Sequence, residues 1–338
     1  MSGPWRLLGW ALFAVSMVLA LAGAVSWWLY REMTAAGPLS EARRVVIPPK
    51  TGLAGIAALL AKAGVVRHAL PFEAAALLSG EVSDLQAGEY EFPAATSPLE
   101  ATAIIASGKT VRHRLTIPEG LTTAEVVALI KAAPALAGDP GPPPPEGSLM
   151  PDTYFYRYGE PRRRLIDEME REMTHALQRA WAKRDHDLPL TNPEQLLTLA
   201  SIVEGEAAHA DERAHIAGVF VNRLRLGMPL ASDPTVIYAL TDGGGKKLDR
   251  PLTRADLDTP SPYNTYHEKG LPEGPIDNPG AAALRAAAHP APTADLYFVA
   301  DHNGGHVFAK TLAEHDRNVA QYRNSAVVEP DPPGGAAR

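Results

Sequence analysis

No cysteine occurs in the 338 residues, which excludes disulfides, thiolate metal sites and a cysteine nucleophile. Basic residues do not predominate either. Thirty-two Lys and Arg against 39 Asp and Glu leave a formal net charge of -7. A chain with that balance and no basic stripe is not built for nucleic acid or another phosphate-rich partner. No internal repeat is evident, and no metal-ligand cluster convinces, so neither a cofactor nor a metal is expected. Apolar runs are short everywhere except at the start. Leu7 to Tyr30 contains no charged residue and as a helix would span ~36 Å, enough for a bilayer core. Arg6 precedes the run, and Trp27, Trp28 and Tyr30 close it where an interfacial aromatic belt belongs. The reading is a retained transmembrane anchor over residues 1–30. Ala20-Leu21-Ala22 and Ala22-Gly23-Ala24 leave a cleaved signal peptide as its rival. Arg6 favours an inside N-terminus, although Arg31, Arg43 and Arg44 on the far side blunt that rule.

The rest divides by pattern into an α+β arrangement. A linker over 31–44 leads to a small α/β module over 45–117. Val45-Val46-Ile47-Pro48 reads as a strand, Thr51 as the cap of a helix through Leu59-Leu60-Ala61, and Phe72 to Leu78 as a second helix. Leu85 to Phe92 alternates like a half-buried strand kinked at Gly88. Pro98 opens a further helix, and Val111 to Ile117 alternates again. A connecting segment over 118–161 contains Pro134 to Pro145, too rich in Pro and Gly for regular structure.

A larger α+β domain follows over 162–324. Leu165, Ile166, Met169, Met173, Leu177 and Trp181 recur at helical spacing and read as core. Asn192-Pro193 with Gln195 opens the next helix, and Asp211 is placed to cap another that ends at Gly227. Asp233 before Pro234 reads as the N-cap of a short helix through Tyr238. Asn278-Pro279-Gly280 starts an alanine-rich helix that Pro290 must stop. Leu296 to Ala300 and His306 to Phe308 flank a turn and predict a hairpin, and Thr311 with Glu314 forms a capping box for the last helix. Residues 325–338 read as a disordered tail.

Candidate chemistry gathers in the middle of that domain. On a helix, Leu196, Leu199, Ala200, Val203 and Ala207 share a face. Glu204 lies ~100° from Val203, at the margin between core and solvent. A carboxyl at such a margin is partly desolvated, which favours the protonated acid. Glu206 points to another side, so the two acids cannot flank one bond. Asp256 and Asp258 read as capping or surface residues, and no second acid is obvious where a glycosidase normally uses two. If one acid must suffice, it protonates a leaving oxygen and then, as carboxylate, takes a proton from a hydroxyl of the same sugar. Ser261 to Tyr266 forms a loop of Tyr, Asn and Thr suited either to turn chemistry or to reading sugar substituents. Tyr238 reads as core, Asn222 and Arg223 as structural hydrogen-bonders, and His289 as a packing residue. His302 and His306 lack a third clear metal ligand.

These segments together resemble the membrane-anchored endolytic murein transglycosylases, the YceG-like family. The resemblance rests on Pro118-Glu119-Gly120, Pro151-Asp152-Thr153-Tyr154, Ala200 to Glu206, Val219 to Leu230, Asp233 to Tyr238 and Ser261 to Tyr266. It continues through Gly270-Leu271-Pro272, Ala286 to Pro290, Leu296 to Asp301 and Gly304-Gly305-His306. The resemblance implies that the small module is LysM-like and that Glu204 is the catalytic acid and base. It sets Tyr263, Asn264, Thr265, Tyr266, Asp233, Thr235 and Glu206 against substrate. That substrate would be a peptidoglycan glycan strand, cut between N-acetylmuramic acid and N-acetylglucosamine to leave a 1,6-anhydro end. Also implied are membrane-bound penicillin-binding proteins as partners and a single-pass place in the bacterial inner membrane, with the catalytic domain in the periplasm. A silent wall-binding scaffold and a hydrolytic muramidase are the competing functions. Two departures stand out: Gly205 where the family usually has a basic residue, and no aromatics in Glu146 to Met150.

Overall fold

The computed structural model describes residues 4–207, 209–244, 248, 250–302 and 304–326. They fall into two compact units. The first runs to His113 and includes Ala135–Ala137 and Phe155–Glu160; the second holds the remainder.

In the first unit, helix α1 (Pro4–Thr34) carries Leu8–Thr34, long and apolar enough to cross a membrane. Trp10, Phe13, Leu19 and Trp27 all project from it without protein cover. Strand β1 (Arg43–Ile47) is followed by α2 (Leu53–Lys62), α3 (Ala69–Ser79) and β2 (Gly88–Phe92), which pairs antiparallel with β1, Val45 opposite Tyr90. Helix α4 (Pro98–Ala106) starts in a capping box between Ser97 and Glu100. Ile47, Leu60, Phe72, Tyr90, Phe92 and Ile105 form the core. Thr51 does not cap α2; its hydroxyl donates to the Pro48 carbonyl, and Gly52 takes the cap position.

Strand β3 (Arg112–Thr116) pairs with β4 (Thr153–Arg157), and between them α5 (Thr123–Ala132) opens in a capping box of Thr122 and Glu125. Neither α5 nor β4 was expected from the sequence. The Pro-rich segment carries no helix or strand, and Arg162 ties its first half to the end of α5 by donating to the carbonyls of Ile130 (3.1 Å) and Gly138 (2.9 Å).

Helix α6 (Arg162–Lys183) buries Leu165, Ile166, Met169 and Met173, as its apolar stripe requires. Helix α7 (Pro193–Glu206) is the hub of the second unit. It is packed by α6, α8 (Arg213–Leu226), α9 (Asp233–Thr241) and α11 (Ala281–Ala288), with α10 (Arg254–Leu257) beside α9. Every residue from Leu196 to Val203 is buried, so α7 is a central helix and not the one-faced helix its spacing suggested. The alanines of α11 let it approach α7 closely: Ala283, Ala287 and Ala288 are wholly buried. The expected hairpin is present as β5 (Tyr297–Ala300) and β6 (His306–Ala309), Val299 opposite Val307. Helix α12 (Leu312–Ala326) follows the expected box, Glu314 N–H donating to Thr311 Oγ1 at 3.3 Å. The expected tail beyond Ala326 lies outside the described residues.

Two further caps differ from expectation. Glu212 occupies the N-cap of α8 without capping it, because its carboxylate accepts from the N–H and Nδ1 of His306, both at 2.8 Å. Ser232 precedes α9, and Asp233 accepts from the Tyr266 hydroxyl at 2.6 Å.

Close approach also fixes Gly218 in α8. A methyl group there would meet the Ala291 carbonyl oxygen at 2.5 Å, in a loop held by an Ala291 N–H bond to the Ala214 carbonyl. Gly218→Ala gains ~1 kcal/mol of helix propensity, but displacing a bonded backbone costs about 1–3 kcal/mol as overpacking. The expected outcome is net destabilisation, read as a lower denaturant midpoint; a stabilised variant would contradict this packing.

Candidate active site

Glu204 lies in the last turn of α7 with its side chain only 6% exposed. One carboxylate oxygen accepts from Arg213 Nη2 at 2.9 Å; the other accepts from the Gly280 N–H at 3.0 Å. The guanidinium, itself 14% exposed, reaches on to Glu119 at 3.4 Å. Two donors of different origin therefore aim the acid: a cation from α8 and a backbone group at the start of α11.

The segment supplying Gly280 is strapped on both sides. Ile276 N–H donates to the buried Ser201 Oγ of α7 at 3.1 Å. Asn278 pairs with Leu121 in an isolated antiparallel bridge, through N–H to carbonyl bonds of 2.9 Å and, from Gly120, 3.0 Å. The wholly buried Asn278 side chain accepts from Leu149 N–H at 2.8 Å and donates to the Leu121 carbonyl at 2.9 Å. Gly120 follows Glu119 with a φ of +75°, a conformation that favours glycine.

Asp277, between these anchors, is buried among acids. A methyl group on Gly120 would lie 3.6 Å from Glu204 Cγ and 3.9 Å from Asp277 Oδ2, so both acids border one point. Burial first, and the charge of Glu204 second, push Asp277 well above the usual carboxylate range. Burial likewise raises Glu119, with Glu204 again the next cause, and raises Glu146, which accepts from the Thr123 N–H at 2.7 Å. The expectation of a solitary acid is thus corrected: Glu204 is the anchored member of an acidic group.

A cleft of about 510 Å³ opens beside it, lined among others by Gly120, Gly205, Pro234, Tyr238, Arg250 and Asp277. Gly205 serves this wall. A side chain there would press on the Pro234 ring at 3.0 Å, so glycine allows α7 and α9 to close up. Tyr238, expected as pure core, packs against the core yet forms part of the cleft wall; its ring lies 4.8 Å from that of Tyr263.

The other sequence candidates divide. Asp233 lines the cleft and holds the Tyr266 hydroxyl. Thr235, Asn264 and Thr265 are wholly buried and spent internally. Asn264 donates to the carbonyls of Leu257 (2.9 Å) and Thr259 (2.8 Å), while the Thr235 and Thr265 hydroxyls meet at 2.9 Å. Their place is beneath the loop, not at its surface. Glu206 turns away from Glu204 to accept from Ser232 Oγ at 2.5 Å, and burial pushes it up to about 7. Asn222 and Arg223 are structural, donating to the carbonyls of Thr293 (3.0 Å) and Leu296 (2.6 Å). His289 pairs with Asp185 at 2.7 Å, and His302 bonds to the Tyr322 carbonyl at 2.7 Å. Among the described residues, no three His, Asp or Glu gather to hold a metal. Sequence reasoning gave no part in the site to Arg213, Gly280, Glu119 or Asp277. One signal was available: an enclosed Glu204 demands a cation, and Arg213 is the first one after it.

Residues 45–321 match the YceG-like family, a span that takes in the whole of this site. The chain belongs to that family. It is 42% identical over 184 residues to an endolytic murein transglycosylase of Bacillus subtilis, covering 54% of this chain and 49% of that protein. A Streptococcus pneumoniae protein of the same name is 32% identical over 324 residues, covering 83% of this chain and 58% of the relative. The chain therefore spans between about half and three fifths of these curated relatives' length. A solved yceG-like protein from Listeria monocytogenes superposes with a TM-score of 0.51 at 30% identity, over 82% of this chain and 99% of that one.

Glu206 makes a clean pH test. Its folded value of about 7 exceeds the ordinary 4.5, so the folded chain binds more protons between those limits. That stabilisation is complete below about 4.5 and is lost as pH rises through about 7. Glu206→Gln removes it, so relative to this variant the parent should lose up to roughly 3 kcal/mol across the window. Melting temperatures of both, measured at several pH values, should diverge; parallel curves would contradict the buried setting.

Proposed function

We propose that the chain is a peptidoglycan lytic transglycosylase, with Glu204 as its acid and base. The observation that carries the reading is the Glu204 carboxylate itself, 6% exposed, aimed by Arg213 and the Gly280 N–H, next to Gly205 of the cleft wall. The names of the relatives and the family membership support it.

In the reaction, Glu204 in its acid form gives its proton to the oxygen linking N-acetylmuramic acid to N-acetylglucosamine as the bond from C1 breaks. The resulting carboxylate takes the proton of the muramyl C6 hydroxyl while that oxygen bonds to C1. The product is a 1,6-anhydro end, and no water is consumed. Tyr238 offers an aromatic face, and Asp233 and Arg250 offer polar ends, for a sugar in the cleft. The competing hydrolysis needs a second ionised carboxyl to activate water. Asp277 is a second acid lining the cleft, pushed above the usual carboxylate range by burial, and the fragment ends separate hydrolysis from ring closure.

The wider setting follows the same reading. Leu8–Thr34 would hold the chain in the bacterial inner membrane by a single pass, with the catalytic domain over 162–324 in the periplasm. The β1-α2-α3-β2 order supports a LysM-like module over 45–117, followed in the chain by a connecting segment over 118–161. There the enzyme would end nascent strands beside membrane-bound penicillin-binding proteins.

Digestion of purified peptidoglycan by the full chain, with mass analysis of the fragment ends, tests this. Anhydro ends are expected; reducing ends would establish a muramidase, and no fragments a scaffold. Glu204→Gln should lower turnover on the order of 10²–10⁴-fold while glycan binding persists. Activity within a few-fold of the parent would refute the assignment.

A further inference from the structure

We propose that helix α3 lies in the surface of the bilayer that α1 crosses, with its uncovered leucines among the lipid headgroups and upper acyl chains. This placement rests on α1 spanning the membrane and is independent of the chemistry at Glu204.

Helix α3 is apolar all round. Over Ala69–Ser79 it carries one charged residue, Glu73, and it buries Pro71, Phe72, Ala75 and Ala76 against the unit. Leu70, Leu77 and Leu78 stand on the opposite side and are between 58% and 74% exposed. By the helical step, Leu70 and Leu77 lie within ~20° of each other, and Leu78 ~80° from Leu70 with Ala74 between them. The turn after α3 adds Val82, also exposed. A helix facing water sets polar residues opposite its core, whereas one that is apolar all round is covered on every side by protein or by lipid. Three exposed leucines on one helix face form a patch that calls for such a cover.

The neighbour of α3 says what the cover is. Helix α1 packs against both α3 and α4 within the first unit. Glu32 and Ala35, at the end of α1, line one recess with Arg67, His68 and Pro71, at the start of α3. Glu32 follows Trp28 of the aromatic belt by only ~6 Å of helix rise, so α3 begins at headgroup depth. Nor is there slack between anchor and module. Met33 is buried, the Gly37 N–H donates to the Ala95 carbonyl at 3.0 Å, and the Ala95 N–H to the Leu39 carbonyl at 2.8 Å. A methyl group on Gly37 would fall 2.1 Å from the Thr96 carbonyl oxygen and 2.7 Å from that of Val65. The chain leaving α1 is thus wedged between two backbone segments of the module.

Interfacial helices bury an apolar face ~5–10 Å into the boundary between headgroups and acyl chains, a depth that leucines on a helix beside α1 can reach. Arg31 and Arg67, both exposed, offer donors to lipid phosphates there. Glu73 at the margin of the leucine face, with Glu81 and Asp84 beyond it, opposes them. Apolar contact, not charge, therefore carries the docking. A single span leaves the tilt of what it carries loosely set; a second seat on lipid fixes it, and the module becomes a base standing on the membrane.

The absence of cysteine makes the test clean, since one introduced cysteine carries one fluorophore. The full chain is placed in vesicles of phosphatidylethanolamine and phosphatidylglycerol, labelled through Leu70→Cys, Leu77→Cys or Leu78→Cys. Leu19→Cys in α1 serves as the membrane control and Gln178→Cys, exposed on α6, as the aqueous one. Lipids with a nitroxide on the upper acyl chain should quench the three α3 sites about threefold or more above Gln178, and aqueous iodide should quench them correspondingly less. Dilution to single chains per vesicle should leave that pattern unchanged. Iodide reaching the α3 sites as freely as Gln178, while lipid still quenches Leu19, overturns the proposal. Protection lost on dilution would mean that a second copy covers the leucines, and overturns it too. A Leu19 site untouched by lipid removes the transmembrane reading and the proposal with it. Cleavage of glycan plays no part in any of these readouts, so the assignment of Glu204 fails or stands separately.

Discussion

An enclosed carboxylate has few ways to exist, and the one used by Glu204 organises its surroundings. Its charge is met by a guanidinium from α8 and one backbone N–H at the start of α11. Removing a carboxylate from water costs several kcal/mol unless charge and hydrogen bonds compensate. Arg213 and Gly280 supply both. Each is positioned by structure that makes little sense without the acid: the side chain of Arg213 is 14% exposed, and a side chain on Gly280 would collide with Glu119.

That demand reaches back into the core. Ser201, buried one turn before Glu204, holds Ile276; Asn278 ties the same segment to Leu121 and Leu149. The acid, its backbone donor Gly280 and Asp277 thus ride on one assembly of α7, the 276–280 segment and the 118–121 loop, with Arg213 brought in by α8. Fixed donors aimed at a reacting group need no reorganisation during the reaction, which is where such sites gain most of their effect. Asn264, Thr265 and Thr235 extend this logic, since their bonds stiffen the loop behind Asp233 and Tyr266.

How far the sequence revealed this depends on the range of the interaction. The stripe Leu165, Ile166, Met169 and Met173 and the Asn192-Pro193 start were legible because both depend on neighbours within two turns. The β5–β6 hairpin and the Thr311 box were legible for the same reason. Helix α5 escaped notice because its apolar positions, Val126, Val127 and Ile130, are too few to show a period. Asp211 and Asp233 looked like caps, but His306 and Tyr266, distant in sequence, decided how those turns are built. Asp277 was least legible: one acid before Asn-Pro-Gly acquires meaning only when the chain returns to Gly120 and Glu204.

The account reduces to the claim that one anchored carboxyl gives and then reclaims a proton while the sugar closes on its own hydroxyl. Cleavage of purified glycan strands in water enriched in the heavy oxygen isotope tests it most directly. Ring closure uses an oxygen already in the substrate, so the new ends should carry no label. Label at C1 of the fragments would mean that water had attacked, and would contradict the account.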